Sequence, residues 1–252
     1  METFLSYIPL DIALIAENFD RFLYGVWTTL NLTVLALVLG GLLAIPMAIA
    51  RAARHPLFNP MVWGYTYVMR GTPLLVQTYL IYYGLGQFEA VRQSWLWDPI
   101  LSSAWWCALI AFTLNTAAYT TELLRGAIVD TPKGEVEAAI ATGHSYGSRM
   151  RRIILPSAFR RAIPAYSNEV IFMLHGSVVA STITLQDILG VGRWLNGRYY
   201  LAYEGFITAA LLYFLIVFAI TRIFRWIERR YLRHLTRRET VAKADMAPEP
   251  VR

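Results

Sequence analysis

The chain has 252 residues, of which 56% are hydrophobic and only 16% are charged. Because soluble domains carry about 25% charged residues, this composition indicates an integral membrane protein. The formal net charge of +6 does not indicate nucleic-acid binding, because the basic residues lie in the gaps between apolar stretches. The single cysteine, Cys107, excludes an internal disulfide bond, and no cysteine and histidine residues have the spacing of a metal site.

Five apolar stretches are long enough to cross a bilayer, which takes about 20 residues of helix. In chain order they cover about residues 22–50, 61–85, 100–124, 164–189 and 203–226. The fourth is the least apolar, since it contains Asn168, Glu169, His175 and Gln186. The pattern predicts an all-α integral membrane fold with five transmembrane helices. The stretches do not divide into two similar halves, which disfavours an inverted-repeat secondary transporter.

The basic residues give the orientation of this fold. If the N-terminus lies outside, eighteen of the 23 lysine and arginine residues fall on the cytoplasmic side, four fall outside, and Arg70 lies within the second stretch. This asymmetry agrees with the positive-inside rule. Omitting the fourth stretch would place the basic C-terminal segment outside, so the charges support that stretch. We therefore predict five spans with a cytoplasmic C-terminus.

The spans divide the chain into three parts. Residues 1–21 are expected to form an N-terminal segment outside the membrane, without a cleavable signal peptide because acidic residues precede the first apolar run. Residues 22–238 are expected to form the transmembrane domain, with a cytoplasmic loop at about 126–162. Residues 239–252 combine alanine, proline and charged residues, which predicts a disordered cytoplasmic tail.

A polar, arginine-rich segment interrupts the apolar pattern between the third and fourth stretches. It reads Glu137-Ala138-Ala139, then three residues, Gly143, nine residues, and Ile153-Ile154-Leu155-Pro156. This resembles the EAA loop of ABC-importer permeases, whose pattern is EAA, three residues, G, nine residues and I-x-L-P. Every fixed position of that pattern is present here at the same spacing. The alternative is an ordinary amphipathic cytoplasmic loop.

The resemblance covers roughly residues 20–238. Arg70-Gly71-Thr72-Pro73-Leu74 with Gln77 is similar to the RGTPL-x-x-Q signature of importers of polar amino acids, and Ala118-Tyr119-Thr120-Thr121-Glu122 is similar to their A-Y-x-x-E stretch. Pro164-Ala165-Tyr166-Ser167-Asn168-Glu169 and Leu174-His175 look closest to the M-type subunit of histidine and lysine/arginine/ornithine importers. Within this polar amino-acid (histidine/glutamine/arginine/opine) family, the resemblance implies a type I permease core in the bacterial inner membrane with a periplasmic N-terminus.

The same resemblance implies the partners and the role of the loop. A related permease (a heterodimer), two ABC ATPase subunits and a periplasmic amino-acid-binding protein are expected, with ATP and Mg used by the ATPase and no cofactor bound by this chain. The sequence contains no Gly-rich phosphate loop that ends in Gly-Lys-Ser/Thr, so we do not expect ATP hydrolysis by this chain. The residues expected to couple to the ATPase are Glu137, Ala138, Ala139, Gly143, Ile153, Leu155 and Pro156.

Polar side chains within the apolar stretches are candidates for the substrate path, because polar groups in the bilayer are costly and tend to mark function. Glu169 could pair with a cationic substrate, or form a structural pair with Arg70 or another base. Arg70 could contact a substrate carboxylate or anchor the second span. Asn115, Tyr119 and Glu122 share one helical face and could line the path or join helices by hydrogen bonds. His175 could line the path or pack within the bundle.

We therefore predict a permease subunit of an ATP-driven importer of polar, and most simply basic, amino acids: histidine, arginine, lysine or ornithine. Opines and neutral polar amino acids are alternative substrates, since opines derived from arginine also carry a guanidinium group. An ATP-independent secondary transporter or channel is the alternative of a different class. A membrane-embedded enzyme would need a catalytic dyad or a metal site, and the sequence suggests neither.

Overall fold

A computed structural model describes residues 12–200 and 202–231, and every regular element in these two ranges is helical. The α-helices are α1 (Ile12–Glu17), α2 (Phe19–Ala52), α3 (Phe58–Gly71), α4 (Leu74–Tyr79), α5 (Glu89–Arg92), α6 (Ala104–Val129), α7 (Lys133–Ala141), α8 (Tyr146–Arg149), α9 (Leu155–Gly176), α10 (Ile188–Tyr199) and α11 (Ala202–Tyr231). Shorter π- and 3-10 segments cover Leu80–Gly84, Leu85–Gln87, Trp97–Leu101, Met150–Ile154 and Ser177–Ile183. The predicted tail, 239–252, and the first eleven residues of the predicted N-terminal segment lie outside the described residues.

The core is built on α6, which packs against α2, α3 and α9. Small residues allow α2 and α6 to approach closely, as in membrane helix pairs generally. A methyl group added at Gly40 of α2 would come within 2.4 Å of the Thr116 side chain and 3.0 Å of the Thr113 carbonyl oxygen on α6. Glycine at this position therefore sets the distance between the two helices.

The second apolar stretch is not one continuous helix. Helix α3 ends at Gly71, Thr72 is extended (φ −114°, ψ 141°), and α4 begins after Pro73. Proline has no backbone N–H and disfavours the helical conformation of the residue before it, so a break at this point follows from the sequence. The chain then continues from α4 into the π-helical segment Leu80–Gly84.

The fourth stretch is also interrupted. Helix α9 is followed by the 3-10 segment Ser177–Ile183, Thr184 takes a left-handed conformation (φ 74°), and α10 begins after Asp187. The Asp187 carboxylate caps α10 by accepting a hydrogen bond from the Gly190 N–H at 2.7 Å, and Tyr213 of α11 donates to the same carboxylate at 3.2 Å. This fixes α10 against α11.

Two helices of the described residues, Phe19–Ala52 and Ala202–Tyr231, are long and apolar enough to cross a membrane. A third candidate arises if the bent pair Tyr146–Ile183 and Ile188–Tyr199, which meet at 40°, is counted as one span. The first and fifth predicted spans are thus helices that meet this criterion, while the count of five stays a prediction.

Candidate functional site

Glu169 of α9 is a buried carboxylate, with only 8% of its surface exposed. Its Oε1 accepts a hydrogen bond from the Thr116 hydroxyl of α6 at 2.8 Å. Within the described residues no arginine, lysine or histidine nitrogen lies within 4.0 Å of this carboxylate, but the Arg70 guanidinium is near enough to act on its charge, so both roles that the sequence left open for Glu169 stay open. Burying a carboxylate without a direct cationic contact is unfavourable, which makes Glu169 a candidate for binding a cation from outside the chain.

Glu169 lines a pocket of about 370 Å³ between α4, α6 and α9, here named the Glu169 pocket. Its lining residues are Leu74, Asn115, Tyr119, Glu169, Phe172, Met173 and Gly176. Three of the predicted path residues, Asn115, Tyr119 and Glu169, therefore lie together although α9 is about fifty residues from α6 in the chain. The pocket has the mixed character of ligand sites, with apolar walls and a few polar groups.

Asn115 connects this pocket to the break between α3 and α4. Its side-chain nitrogen donates to Gln77 Oε1 at 3.0 Å. The Gln77 amide nitrogen in turn donates to the Met69 carbonyl oxygen at 2.7 Å and to the Thr72 carbonyl oxygen at 3.0 Å. Two of the carbonyl groups at the break are satisfied in this way, and Leu74 of the same motif lines the pocket.

Tyr119 and Arg70 are in contact at the edge of the pocket. The Arg70 guanidinium lies 5.3 Å from the centre of the Tyr119 ring, and the Tyr119 hydroxyl donates to the Arg70 carbonyl oxygen at 3.4 Å. Arg70 is exposed and lines a neighbouring pocket of about 270 Å³ together with Arg51 and Glu122. This position is compatible with both expected roles of Arg70. Its accessible guanidinium could contact a substrate carboxylate, and the hydrogen bond from Tyr119 to its carbonyl oxygen anchors the second span.

Glu122 lies one turn farther along α6 and does not line the Glu169 pocket. Its Oε1 lies 3.0 Å from Arg51 Nε and accepts from the Thr66 hydroxyl at 3.0 Å, and its Oε2 accepts from Arg125 Nε at 2.7 Å. Both oxygens are therefore engaged with residues of α2, α3 and α6. Of the two roles left open by the sequence, these contacts match the joining of helices.

His175 also lies apart from the Glu169 pocket. Its side chain is exposed near the end of α9, and it forms no hydrogen bond with the residues that the structure describes. Its exposure does not match packing within this chain, while the lining of a path stays a prediction.

The EAA-like segment consists of two short helices joined by a tight turn. Gly143 follows α7 with φ 77°, a conformation that favours glycine. Its N–H donates to the Ile140 carbonyl oxygen at 2.9 Å, and the His144 N–H donates to the Ala139 carbonyl oxygen at 3.0 Å. This pair of hydrogen bonds is a Schellman motif, which ends α7 and reverses the chain.

The predicted coupling residues divide between an outer and an inner face of this loop. Glu137 and Ala138 are exposed, whereas Ala139 is buried within the chain. Ile153 and Leu155 are partly buried where the loop joins α9, and Pro156 is exposed in the first turn of that helix.

Arg161 of α9 fixes the loop to the bundle. Its guanidinium donates to the Ala127 carbonyl oxygen at the end of α6 and to the Thr131 hydroxyl just before α7, both at 2.8 Å, and to the Ser157 hydroxyl. Ser157 also donates to the Glu135 carboxylate of α7 at 3.3 Å. These contacts connect α7 to α9, and Glu169 lies eight residues, or about two turns, beyond Arg161 on the same helix.

Sequence reasoning did not assign roles to Gln77, Arg161 or Asp187. Arg161 was used only as one of the basic residues on the cytoplasmic side. Asp187 lies within the fourth apolar stretch, which was treated as one continuous span. The signals were present for two of them, since an Asp directly before apolar residues is a helix N-cap signal and Gln77 follows a proline that breaks a helix. Nothing local indicates the partners of Arg161, which lie 30 and 34 residues away in the chain.

A bundle of apolar helices with a polar pocket between α6 and α9, and with a basic loop of short helices at one end, defines the chain as a membrane permease rather than an enzyme. The family described as the binding-protein-dependent transport system inner membrane component matches residues 36–233. The chain belongs to this family, and it is a multi-pass protein of the bacterial inner membrane with the type I ABC-importer permease fold.

The similar proteins are permeases of amino-acid and opine importers. The octopine transport system permease protein OccM of Rhizobium radiobacter is 42% identical over 88% of this chain and 93% of that protein. The histidine/lysine/arginine/ornithine transport system permease protein HisM of Salmonella typhimurium is 44% identical over 84% of this chain and 90% of that protein. The crystal structure of an amino acid ABC transporter with histidines is 30% identical with a TM-score of 0.78, covering 88% of this chain and 100% of that chain.

The inward-facing MetNI methionine ABC transporter has the same fold, with a TM-score of 0.68 at 18% identity over 84% of this chain and 98% of that chain. Together these matches establish an amino-acid or opine importer permease, which acts with an ATPase and a substrate-binding protein. This excludes the self-sufficient secondary transporter or channel.

Proposed function

We propose that this chain is the permease subunit of an importer of basic amino acids, namely arginine, lysine, ornithine or histidine, and that Glu169 contacts the cationic end of the substrate. The observation that carries the proposal is the buried Glu169 carboxylate, which lines the Glu169 pocket with no basic nitrogen within 4.0 Å among the described residues. A cation entering this pocket would form the direct ion pair that the more distant Arg70 does not. The pocket volume of about 370 Å³ lies within the range of small-molecule sites.

The other pocket residues suit the remainder of an amino acid. Asn115 and Tyr119 offer polar groups opposite Glu169, and Phe172 and Met173 offer apolar surface for an aliphatic stem. Arg70 lies at the edge of the pocket, where its guanidinium is placed to receive a carboxylate as the substrate leaves. Glu122 is assigned to helix joining, because both of its carboxylate oxygens are already paired.

An opine derived from arginine is the second candidate substrate. Such a molecule also carries a guanidinium for Glu169, and HisM and OccM are similar to this chain to nearly the same degree. An opine bears an additional carboxylate, which would need a second basic contact, and Arg70 and Arg51 line the adjacent pocket. Uptake of arginine measured in the presence of octopine, and of octopine in the presence of arginine, would show which of the two the complex transports.

The proposed topology has five spans, a periplasmic N-terminus and a cytoplasmic C-terminus. Helix α6 spans about 39 Å, which is long enough, although its asparagine and threonines lower its mean hydropathy. The segments from α3 to residue 84 and from α9 to α10 form the second and fourth spans as broken helices. Helix breaks are tolerated in membranes where side chains satisfy the freed backbone groups, as Gln77 does here.

The proposed mechanism is alternating access in a complex with a related permease, two ATPase subunits and a periplasmic binding protein. The face of α7 that carries Glu137 and Ala138 docks in the ATPase, and the turn at Gly143 keeps the loop rigid. Movement of the loop passes through Arg161 to α9, which alters access to the Glu169 pocket. Coupling of this kind requires that the loop contact the two states of the ATPase differently.

The test is purification of the chain with its associated subunits, followed by ATPase measurements in liposomes with loaded binding protein. We expect a stoichiometric ATPase whose activity rises with binding protein carrying arginine, lysine, ornithine or histidine. Stimulation by octopine-loaded binding protein alone would favour the opine candidate. Stimulation by neutral amino acids alone would contradict a role of Glu169 in cation binding.

A further inference from the structure

An apolar groove runs along the outside of the bundle between α2, α9 and α11, at the end that carries the EAA-like loop. We name it the α2–α9–α11 groove, and its volume is about 530 Å³. Apolar side chains of α2, α9 and α11 form most of its lining, and Arg160 and Tyr166 are among its polar members. From Ile45, which is nearer the loop end, to Leu37 it extends about 12 Å along α2.

Two polar groups that an occupant could reach interrupt this apolar lining. The Arg160 side chain is exposed and forms no ion pair or hydrogen bond among the described residues. The Tyr166 hydroxyl lies beside Gly41 and forms no hydrogen bond among those residues, although the Glu169 carboxylate acts on it electrostatically. A cationic group and a hydroxyl donor in an apolar groove fit an occupant with oxygen acceptors.

The order of these groups follows the polarity of a phospholipid. Arg160 and Tyr166 are six residues apart on one helix, hence about 9 Å along its axis, and Arg160 is nearer the loop end. The polar layer of one leaflet, from headgroup to the start of the hydrocarbon, is about 5–8 Å deep. A phosphate at Arg160 therefore places the ester oxygens at the level of Tyr166, and the acyl chain along the apolar groove below it.

The neighbouring charges favour an anionic lipid. The final turns of α11, next to the groove, carry the exposed basic residues Arg222, Arg225, Arg229 and Arg230, against the acidic Glu228. Basic pockets between membrane helices on the cytoplasmic side bind anionic headgroups. A zwitterionic lipid would gain less from this surface, because its headgroup has no net charge.

We propose that the α2–α9–α11 groove binds one anionic phospholipid, with its phosphate at Arg160, an ester oxygen accepting a hydrogen bond from Tyr166, and an acyl chain between α2 and α11. In the topology proposed above, this groove opens to the cytoplasmic leaflet of the membrane. The lipid site itself does not depend on that topology. The bound lipid touches α9 between Arg161, which holds the loop, and Glu169, which lines the substrate pocket, so its headgroup is positioned to influence coupling.

The test measures lipid retention by the purified complex, in native mass spectrometry after delipidation and addition of phosphatidylglycerol or phosphatidylcholine with the same acyl chains. Gly41→Leu places a large side chain in the groove, and its Cβ has room, since a methyl group at Gly41 meets only the Tyr166 hydroxyl, at 3.9 Å. Its control is Gly64→Leu, at a glycine of α3 with open space around it. Arg160→Ala is compared with Arg198→Ala, which removes an exposed charge of α10 that neither lines the groove nor belongs to the basic end of α11.

We expect the wild-type complex to retain one phosphatidylglycerol per copy of this chain. Gly41→Leu should abolish this retention, and Arg160→Ala should reduce the preference for phosphatidylglycerol about fivefold, whereas both controls should behave as wild type. Equal retention by Gly41→Leu and wild type would overturn the proposal, as would a helix of the second permease occupying the groove in a structure of the complex. The readout needs no transport, so a wrong substrate assignment would leave it unchanged.

Discussion

The Thr116 hydroxyl donates to Glu169 at 2.8 Å, and this contact joins the central helix α6 to the helix that carries the candidate substrate carboxylate. One hydrogen bond from a neutral hydroxyl does not compensate the burial of a carboxylate. The pair therefore holds Glu169 in a fixed orientation toward the pocket while leaving its charge available to a substrate.

Replacement of Glu169 by Gln should reduce transport of cations selectively. The amide keeps the shape of the side chain and can still bond to Thr116, but it removes the charge-assisted contact to a substrate, which costs about tenfold or more in uptake of arginine or lysine. Uptake of glutamine, if the binding protein delivers it, should change less. Radiolabelled uptake in proteoliposomes checks this, and equal losses for charged and neutral substrates would leave Glu169 with a structural role alone.

Replacement of Glu122 by Gln should instead destabilise the protein without changing substrate preference. The Glu122 and Arg51 side chains are 12% and 14% exposed, and removal of the carboxylate leaves two guanidinium groups without their partner. We expect a loss of about 2 kcal/mol in the free energy of unfolding, below the range for fully buried pairs because water reaches this cluster.

Thermal unfolding in detergent measures this effect. Glu89→Gln is the control, because Glu89 is exposed and bonds only to Gln93. The double variant Arg51→Gln/Glu122→Gln should recover part of the loss. An unchanged melting temperature in Glu122→Gln, together with selective loss of cation uptake, would contradict this prediction. It would mean that Glu122 lines the substrate path rather than joining helices.

Replacement of Gly143 by Val should uncouple the ATPase from transport. Position 143 has φ 77°, which a β-branched residue resists, although its surroundings are open. Gly143→Asn should retain most of the coupling, because asparagine tolerates this conformation. Gly147→Val, at an equally open glycine with no such conformation, is the control.

The measurement is the ATPase activity of the reconstituted complex with and without loaded binding protein. We expect Gly143→Val to lose stimulation by the binding protein while still inserting in the membrane. If Gly143→Val and Gly147→Val behaved alike, the turn conformation would not be what couples the loop.

The adjacent glycines of α2 should respond oppositely to the same substitution. Gly40→Ala forces a methyl group to within 2.4 Å of the Thr116 side chain, so we expect overpacking to destabilise the α2–α6 contact by about 1–3 kcal/mol. Gly41→Ala meets no such obstacle and should stabilise the helix by up to about 1 kcal/mol. Melting temperatures of the two variants in one detergent decide the matter, and similar values would mean that α2 and α6 are less tightly packed than described.

The sequence predicted the class of fold because hydropathy and charge are properties of long stretches. The helices α2 and α11 agree closely with the first and fifth predicted spans, and the family signature of the loop lies where α7, α8 and the start of α9 are found. The second and fourth stretches are broken helices, and hydropathy does not register a break. Pro73 was the local signal for one, and the N-cap pattern at Asp187 was the signal for the other.

The candidate site was predictable only in part. Helical spacing placed Asn115, Tyr119 and Glu122 on one face, yet it does not say which neighbour each one meets. Asn115 and Tyr119 lie opposite Glu169, whereas Glu122 is one turn nearer the helix end, where Arg51 arrives from α2. The difference depends on packing between helices that are distant in sequence, which a one-dimensional pattern does not contain.

The bend at Thr72 and Pro73 bears on how the protein is made. The Gln77 amide and the carbonyl groups it satisfies all lie between residues 69 and 77, so the bent segment carries its own hydrogen bonds. Exposed backbone carbonyls would hinder entry into lipid, and the segment pairs two of them itself, whereas the Arg70 carbonyl is bonded only by Tyr119 of α6. The bent segment therefore completes its hydrogen bonds when α6 packs against it, where Asn115 and Tyr119 meet Gln77 and Arg70.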